Sequence, residues 1–240
     1  MDFKPYLLEI SLKRHLIEHA DAYPFSIPSV AKLEKLTFHP DVTFIVGENG
    51  TGKSTLIEAI ALAMGFGPEG GTKNSRFSTA NTVSGLHEYV RMVKNYKKPK
   101  DYYFLRAESF YNLATYMDET GYLGGYGNRS LHERSHGEAF MTTLTMKLKG
   151  EGFYIFDEPE AALSPSRQMT AITAIHDLVR NGSQFIIATH SPILMAYPNT
   201  KIIQLGEDGI RETHYEETEH YRITRDFLNK YKQMIEILTS

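Results

Sequence analysis

The chain has 240 residues, no cysteine, 41% apolar side chains and a formal net charge of -3 at pH 7. That length and composition suit one sizeable core with a subordinate lobe and exclude a disordered or fibrous chain. The lack of cysteine excludes disulfides and thiolate zinc sites, and the slightly acidic balance offers no global basic surface for nucleic acid. No apolar stretch approaches the ~20 residues that cross a bilayer. The start, Met1-Asp2-Phe3-Lys4-Pro5, lacks a secretory pattern, so a cytoplasmic protein is expected.

In chain order, Tyr6 to Leu12 and Lys35 to Phe38 read as early strands, separated by the proline-bearing loop Tyr23-Pro24-Phe25-Ser26-Ile27-Pro28. The apolar run Val42-Thr43-Phe44-Ile45-Val46 then leads into Gly47-Glu48-Asn49-Gly50-Thr51-Gly52-Lys53-Ser54-Thr55, which fits G-x-x-x-x-G-K-[ST] without a mismatch. Glycines let backbone N–H groups curl around a polyphosphate, and a helix predicted from about Lys53 to Met64 aims its positive end at it. The segment Glu48, Asn49, Gly50, Thr51, Gly52 is therefore predicted to wrap the nucleotide. Lys53 is expected to reach the β and γ phosphates, Ser54 to place its hydroxyl on Mg²⁺, and Thr55 to bind farther back.

Gly65 to Gly71 and Lys73 to Asn81 form a stretch rich in glycine, serine and threonine. Leu86 to Val93 and Tyr102 to Arg106 read as paired strands, with the basic run Lys94 to Lys100 as the turn between them. That run is the best local candidate for a DNA or partner contact, by lysine charge and tyrosine stacking. Residues near 109 to 150 are predicted to form a small helical lobe, in which the loop Gly121 to Gly127 precedes Arg134-Ser135-His136-Gly137-Glu138-Ala139-Phe140 and an apolar helix, Ala139 to Leu148. Ser135 and the Gly137 backbone present a hydroxyl and helix-start N–H groups to an anion.

The apolar strand Phe153-Tyr154-Ile155-Phe156 ends in Asp157-Glu158-Pro159-Glu160. Paired carboxylates at a strand end suit metal-assisted hydrolysis: Asp157 as the acidic partner of Ser54 on Mg²⁺, Glu158 as the base that orients and deprotonates water. A further strand, Gln184 to Ala188, ends in Thr189-His190-Ser191-Pro192, where His190 stands as a γ-phosphate sensor. A hairpin over Lys201 to Leu205 and Ile210 to Tyr215 precedes a helix over Thr218 to Leu238, whose apolar stripe (Tyr221, Phe227, Leu228, Tyr231, Ile235, Leu238) is expected to pack on the body of the protein.

The order phosphate loop, Asp-Glu-Pro, strand-Thr-His resembles the ABC-type ATPases. Ser135-His136-Gly137-Glu138 resembles the signature in the Ser-x-Gly-Glu form of soluble ATPases of the RecF, OLD and SMC kind, and Ala161-Ala162-Leu163-Ser164 takes the place of the D-loop. The pattern looks most like AAA-family ATPases that consist of an ABC head alone. The resemblance implies an α/β P-loop NTPase fold with an antiparallel β subdomain and a small helical lobe, as one domain over residues 1–240. It implies ATP and Mg²⁺ as cofactors and a sandwich dimer in which Ser135, Gly137 and Glu138 meet the nucleotide of the second copy. His136 stands where glycine is commoner. The family's glutamine loop has no glutamine here; Glu108, Ser109 and Asn112 are candidates to replace it, with the role unassigned. Arg14, Tyr23 and Phe25 lie where the family meets adenine, and none is singled out.

About eighty residues separate Ser54 from Ser135 with no sustained heptads, so no coiled-coil arm is expected. The resemblance implies an ATP-gated dimer in DNA maintenance or defence. The alternatives are a transporter's nucleotide-binding subunit, or a nucleotide sensor with little turnover.

Overall fold

The computed structural model describes residues 4–73, 83–120, 130, 132 and 135–240. The loop Gly121 to Gly127, Arg134 and the stretch from residue 74 to Asn81 lie outside the described residues. Among the described residues two sheets carry the fold. The larger has at its centre strands buried on both faces, the pattern of a sheet covered on both sides. It comprises β3 (Val42–Val46), β5 (Asp101–Arg106), β6 (Gly152–Asp157), β7 (Gln184–Ala188), β8 (Lys201–Gly206) and β9 (Gly209–Thr213), in the order β5-β6-β7-β3-β8-β9. All neighbours are parallel except the β8–β9 hairpin. The smaller sheet is antiparallel, β2-β1-β4, from β1 (Leu7–Leu12), β2 (Leu36–Thr37) and β4 (Val90–Lys94).

Alternation along each parallel strand sends neighbouring side chains into two separate cores. Phe44, Tyr154, Phe156, Phe185 and Ile187 face α4 (Phe110–Glu119), α5 (His136–Thr142), α6 (Pro165–Arg180) and α7 (Pro192–Met195). Ile45, Phe153, Ile155, Ile186 and Ile203 face α2 (Lys53–Met64), the short α1 (Pro28–Ala31) and α3 (Leu86–Tyr89), and the antiparallel sheet. The two sheets are joined through buried Gln184. Its Oε1 accepts from the N–H groups of Tyr6 (2.8 Å) and Leu7 (3.0 Å), while its Nε2 donates to the carbonyls of Leu7 (2.9 Å) and His39 (3.0 Å).

Two expectations are corrected. The segments Leu86 to Val93 and Tyr102 to Arg106 are not a hairpin: Leu86–Tyr89 is a helical turn, β4 pairs with β1, and β5 runs parallel to β6. The reason lies in the side chains. Tyr103, Phe104 and Leu105 are all buried and need cover on both faces, whereas β4 exposes Arg91, Val93 and Lys94. The basic run therefore links two sheets, and Lys97 and Lys100 pair with Glu151. The second correction concerns α8 (Glu219–Thr239), which has no buried residue. Its stripe residues Leu228, Tyr231, Ile235 and Leu238 are 67%, 51%, 46% and 72% exposed. Among the described residues the helix is anchored chiefly at its start, where buried Thr218 caps it and the Tyr215 and Tyr221 rings meet at 4.6 Å, with Phe227 and Met234 half-buried farther on. Non-helical backbone at Lys230 kinks it.

Candidate functional site

The site sits at the carboxyl ends of β3, β6 and β7. Gly47 ends β3 so close to β8 that a Cβ there would lie 2.5 Å from the Leu205 carbonyl oxygen. Gly52, the residue before α2, has φ +94, and a Cβ on it would meet Ile27 Cγ2 at 2.8 Å. Only glycine serves at such a position, where the chain turns left-handed against a neighbour. The Thr51 hydroxyl donates to the Glu48 carbonyl (2.8 Å), and Ser29 Oγ to that of Thr51 (2.5 Å). Glu48, Asn49 and Gly50 are exposed; Ser54 and Thr55, in the first turn of α2, are half-buried. Lys53 is buried and folds back over the loop, Nζ donating to the carbonyls of Gly47 (2.9 Å) and Glu48 (3.1 Å). Burial lowers its pKa, against the pull of Glu158, Asp157 and Glu48.

Asp157 closes β6 opposite Ala188 of β7 and Arg106 of β5. Ser54 Oγ donates to its Oδ1 at 3.4 Å. Burial pushes the Asp157 carboxyl up to about 6, with Glu158 adding to the rise and Arg106 opposing it. Arg106 lies with Nε 3.8 Å from Asp157 Oδ2, Nη1 3.0 Å from Glu58 Oε2 and Nη2 3.5 Å from Glu108 Oε2. Glu158 has left-handed backbone, φ 52 and ψ 51, held by its N–H donating to the Ala188 carbonyl at 2.9 Å. For a non-glycine residue such a conformation costs about 1–3 kcal/mol and marks sites where side-chain direction matters. Here it turns the carboxylate toward His190, whose Nε2 is 3.4 Å from Glu158 Oε1.

His190 is fixed through its backbone. Glu160 accepts from the His190 N–H (2.5 Å) and from Thr189 Oγ1 (2.7 Å). Burial raises the Glu160 pKa, and these two hydrogen bonds oppose the rise. Burial lowers that of His190, as do Lys53 and His220, while Glu158 and Glu48 oppose. Lys53, Ser54, Asp157, Glu158 and His190 are thus brought together. An open cleft of about 330 Å³ beside them is lined by Ser54, Arg106, Glu108, His136, Asp157 and Glu158 among others.

Ser135, Gly137 and Glu138 flank His136, which lines the same cleft. Ser135 caps α5, its Oγ accepting from the Glu138 N–H (3.3 Å), while Glu138 Oε2 accepts from the Ser135 N–H (3.0 Å). This reciprocal pairing satisfies two helix-start donors, and the Ser135 N–H lowers the Glu138 pKa. Arg167 adds Nη1 to Ser135 Oγ at 3.2 Å and Nη2 to Glu138 Oε1 at 3.5 Å. A Cβ on Gly137 would lie 2.5 Å from Arg167 Nη1 and 2.7 Å from the Ala162 carbonyl oxygen. Among the described residues no hydrogen bond joins these three to Glu48–Thr55 of their own chain.

Of the glutamine-loop substitutes, Ser109 and Asn112 bond to Glu69, while Glu108 lines the cleft. Arg14 is committed to the carbonyls of Ala31 and Leu33, and Phe25 to the edge of Tyr89; Tyr23 is exposed. Sequence reasoning missed Arg106, Glu160, Arg167 and His220. Arg106 carried a usable signal, as a charge at the end of a strand adjoining the acidic one.

The oxygen donors fit Mg²⁺, a hard cation that takes few protein ligands and completes its shell with phosphate and water. Buried Asp157 is held above its ordinary pKa and a serine hydroxyl lies beside it. Among the described residues no group of three or more His, Asp or Glu side chains is arranged to hold a metal ion, and no helix is long and apolar enough to cross a membrane.

Comparison with known proteins finds similar sequences and similar folds. The chain is 26% identical over 199 residues to the Hemin import ATP-binding protein HmuV of Bartonella henselae, covering 70% of this chain and 72% of that protein. Among solved structures, the SMC head domain from Thermotoga maritima aligns over 88% of this chain and 100% of its own, at 16% identity and a TM-score of 0.48. The cbiO1 protein from Clostridium perfringens, part of the ABC transporter complex cbiONQ, aligns over 85% of this chain and 91% of its own, at 19% identity and a TM-score of 0.48. The AAA domain family matches residues 26–238. The chain belongs to that AAA domain family.

Proposed function

We propose that this protein hydrolyses ATP to ADP and phosphate as an ATP-gated dimer. The gathering of Lys53, Ser54, Asp157, Glu158 and His190 at the strand ends, with Ser54, Asp157 and Glu158 lining one cleft, supports this reading most directly. Lys53 exchanges its loop carbonyls for β- and γ-phosphate oxygens, while the N–H groups of Glu48–Thr55 wrap the phosphates and Thr55 binds farther back. Ser54 and Asp157 would hold Mg²⁺, which would supply neutralisation of the phosphate charge. Glu158 orients a water and takes its proton as the oxygen attacks the γ phosphorus. The bond to the β–γ bridging oxygen breaks, and ADP leaves. His190 donates from Nε2 to a γ-phosphate oxygen. Ser135, Gly137 and Glu138, free of their own phosphate loop, complete the site of a second copy, with the lobe at 109–150 as the carrier.

The test is phosphate release at saturating Mg²⁺-ATP. We expect turnover by the parent chain, lost ATP binding in Lys53→Met, and retained binding with release reduced by about 10²–10⁴ in Glu158→Gln, the usual range for a lost general base. Release by Glu158→Gln at the parent rate would contradict the reading.

For biological output we favour DNA maintenance or defence, on the Ser-x-Gly-Glu form of the signature. ATP-dependent retention on DNA tests it. The second reading, a transporter subunit, is favoured by the likeness to HmuV, a hemin import ATP-binding protein, and by the pairing of Lys97 and Lys100 with Glu151, which withdraws charge from the best DNA candidate. Copurification with a membrane permease in place of DNA retention would select it.

A further inference from the structure

We propose that His220, in the first turn of α8, is a positioning residue that holds His190 in the tautomer able to donate a hydrogen bond from Nε2. The two rings meet at 64° with centroids 4.9 Å apart, and His190 Nδ1 lies 2.8 Å from His220 Nε2. The direction of that hydrogen bond follows from what stands on the other side of His190. Its Nε2 faces Glu158 Oε1 at 3.4 Å, and an ionised carboxylate only accepts. The proton of neutral His190 therefore belongs on Nε2, which leaves Nδ1 a bare acceptor and makes His220 Nε2–H the donor. The opposite tautomer would set a lone pair against the Glu158 carboxylate. Burial, with Lys53 and His220, disfavours the charged form of His190 in any case.

His220 is held where it can do this. Thr218 is fully buried, donates from Oγ1 to the Tyr215 carbonyl (2.7 Å), and accepts from the Tyr221 N–H (3.4 Å). The Tyr215 hydroxyl donates to the Pro192 carbonyl (2.9 Å), two residues beyond His190. Glu160 thus fixes the backbone of His190 and His220 fixes its ring. Metal and catalytic histidines are oriented in the same way, by the partner of the second ring nitrogen. His220 Nε2 also lies 3.9 Å from Glu48 Oε1, so the first turn of α8 touches both the phosphate loop and the histidine that follows β7.

The kinetic consequence rests on the hydrolysis reading above; the tautomer does not. Long-range ¹H–¹⁵N NMR of the imidazoles at pH 8, with His190 assigned by loss of its signal in His190→Ala, is expected to show His190 protonated at Nε2 and bare at Nδ1. In His220→Ala it should become a mixture of tautomers. Gln places its amide N–H near the position of a histidine Nε2, whereas Asn places it near Nδ1. His220→Gln should therefore restore the single tautomer, and His220→Asn should not. In turnover, His220→Ala should lower kcat about tenfold, the scale of lost orienting partners, with KM changed less than twofold, and His220→Gln should recover most of it. The proposal is overturned by an Nδ1–H tautomer in the parent, by an unchanged tautomer in His220→Ala, or by Asn restoring as well as Gln. The expected tautomers in a parent chain that releases no phosphate would uphold His220 and refute hydrolysis.

Discussion

At the scale of single residues, the site is built against stability. Asp157 is buried between Ser54, Arg106 and Glu158, and its carboxyl is pushed up to about 6 because burial outweighs the attraction of Arg106. A carboxyl whose folded pKa lies above its unfolded one binds its proton more tightly when folded, so its contribution to stability falls as pH rises from about 4 through 6. At pH 8 in EDTA, Asp157→Asn should therefore raise stability by about 2 kcal/mol, a converted shift reduced for relaxation, and at pH 4 it should change little. The same variant should lose the stabilisation that Mg²⁺-ATP gives the parent. Thermal unfolding at both pH values checks this, and a variant less stable at pH 8 would contradict it. The residues legible in the sequence were those whose chemistry is local: the phosphate-loop glycines, Lys53 and Ser54, and the Asp157–Glu158 pair at a strand end. Glu160, Arg167, Arg106 and His220 were not, because each acts on a partner brought to it by another element.

Among the elements, β3, β6, β7 and α2 could be read almost to the residue, since unbroken apolar runs and a glycine-to-lysine helix start leave few alternatives. The pairing of β4 and β5 could not. Two neighbouring strands joined by a short polar run look alike whether they form a hairpin or enter different sheets, and only the need of Tyr103, Phe104 and Leu105 for cover on both faces decides it. The α8 stripe misled in the opposite way: its period is helical, yet past the first turn little of it is covered. Removing residues 231–240, beyond the kink at Lys230, should thus cost under about 1 kcal/mol and shift the melting temperature by no more than about 4 °C. The His190–His220 contact should persist in that truncation. A drop of more than 10 °C would mean that the helix end belongs to the core.

For the whole molecule, Lys53, Ser54, Asp157, Glu158 and His190 gather at the carboxyl ends of β3, β6 and β7, while among the described residues Ser135, Gly137 and Glu138 make no hydrogen bond to Glu48–Thr55 of their own chain. Ser135 and Glu138 close a cap with Arg167, and in the proposed reading this cap meets the nucleotide of the second copy. The central claim is that ATP joins two copies through it. The most direct test is the solution mass of Glu158→Gln with and without Mg²⁺-ATP, repeated with Ser135→Arg added, a change that leaves the phosphate loop of its own chain intact. The account predicts a shift from one chain to two on adding Mg²⁺-ATP, abolished by Ser135→Arg although each chain still binds nucleotide. A Glu158→Gln chain that binds Mg²⁺-ATP and keeps the mass of one chain would contradict it.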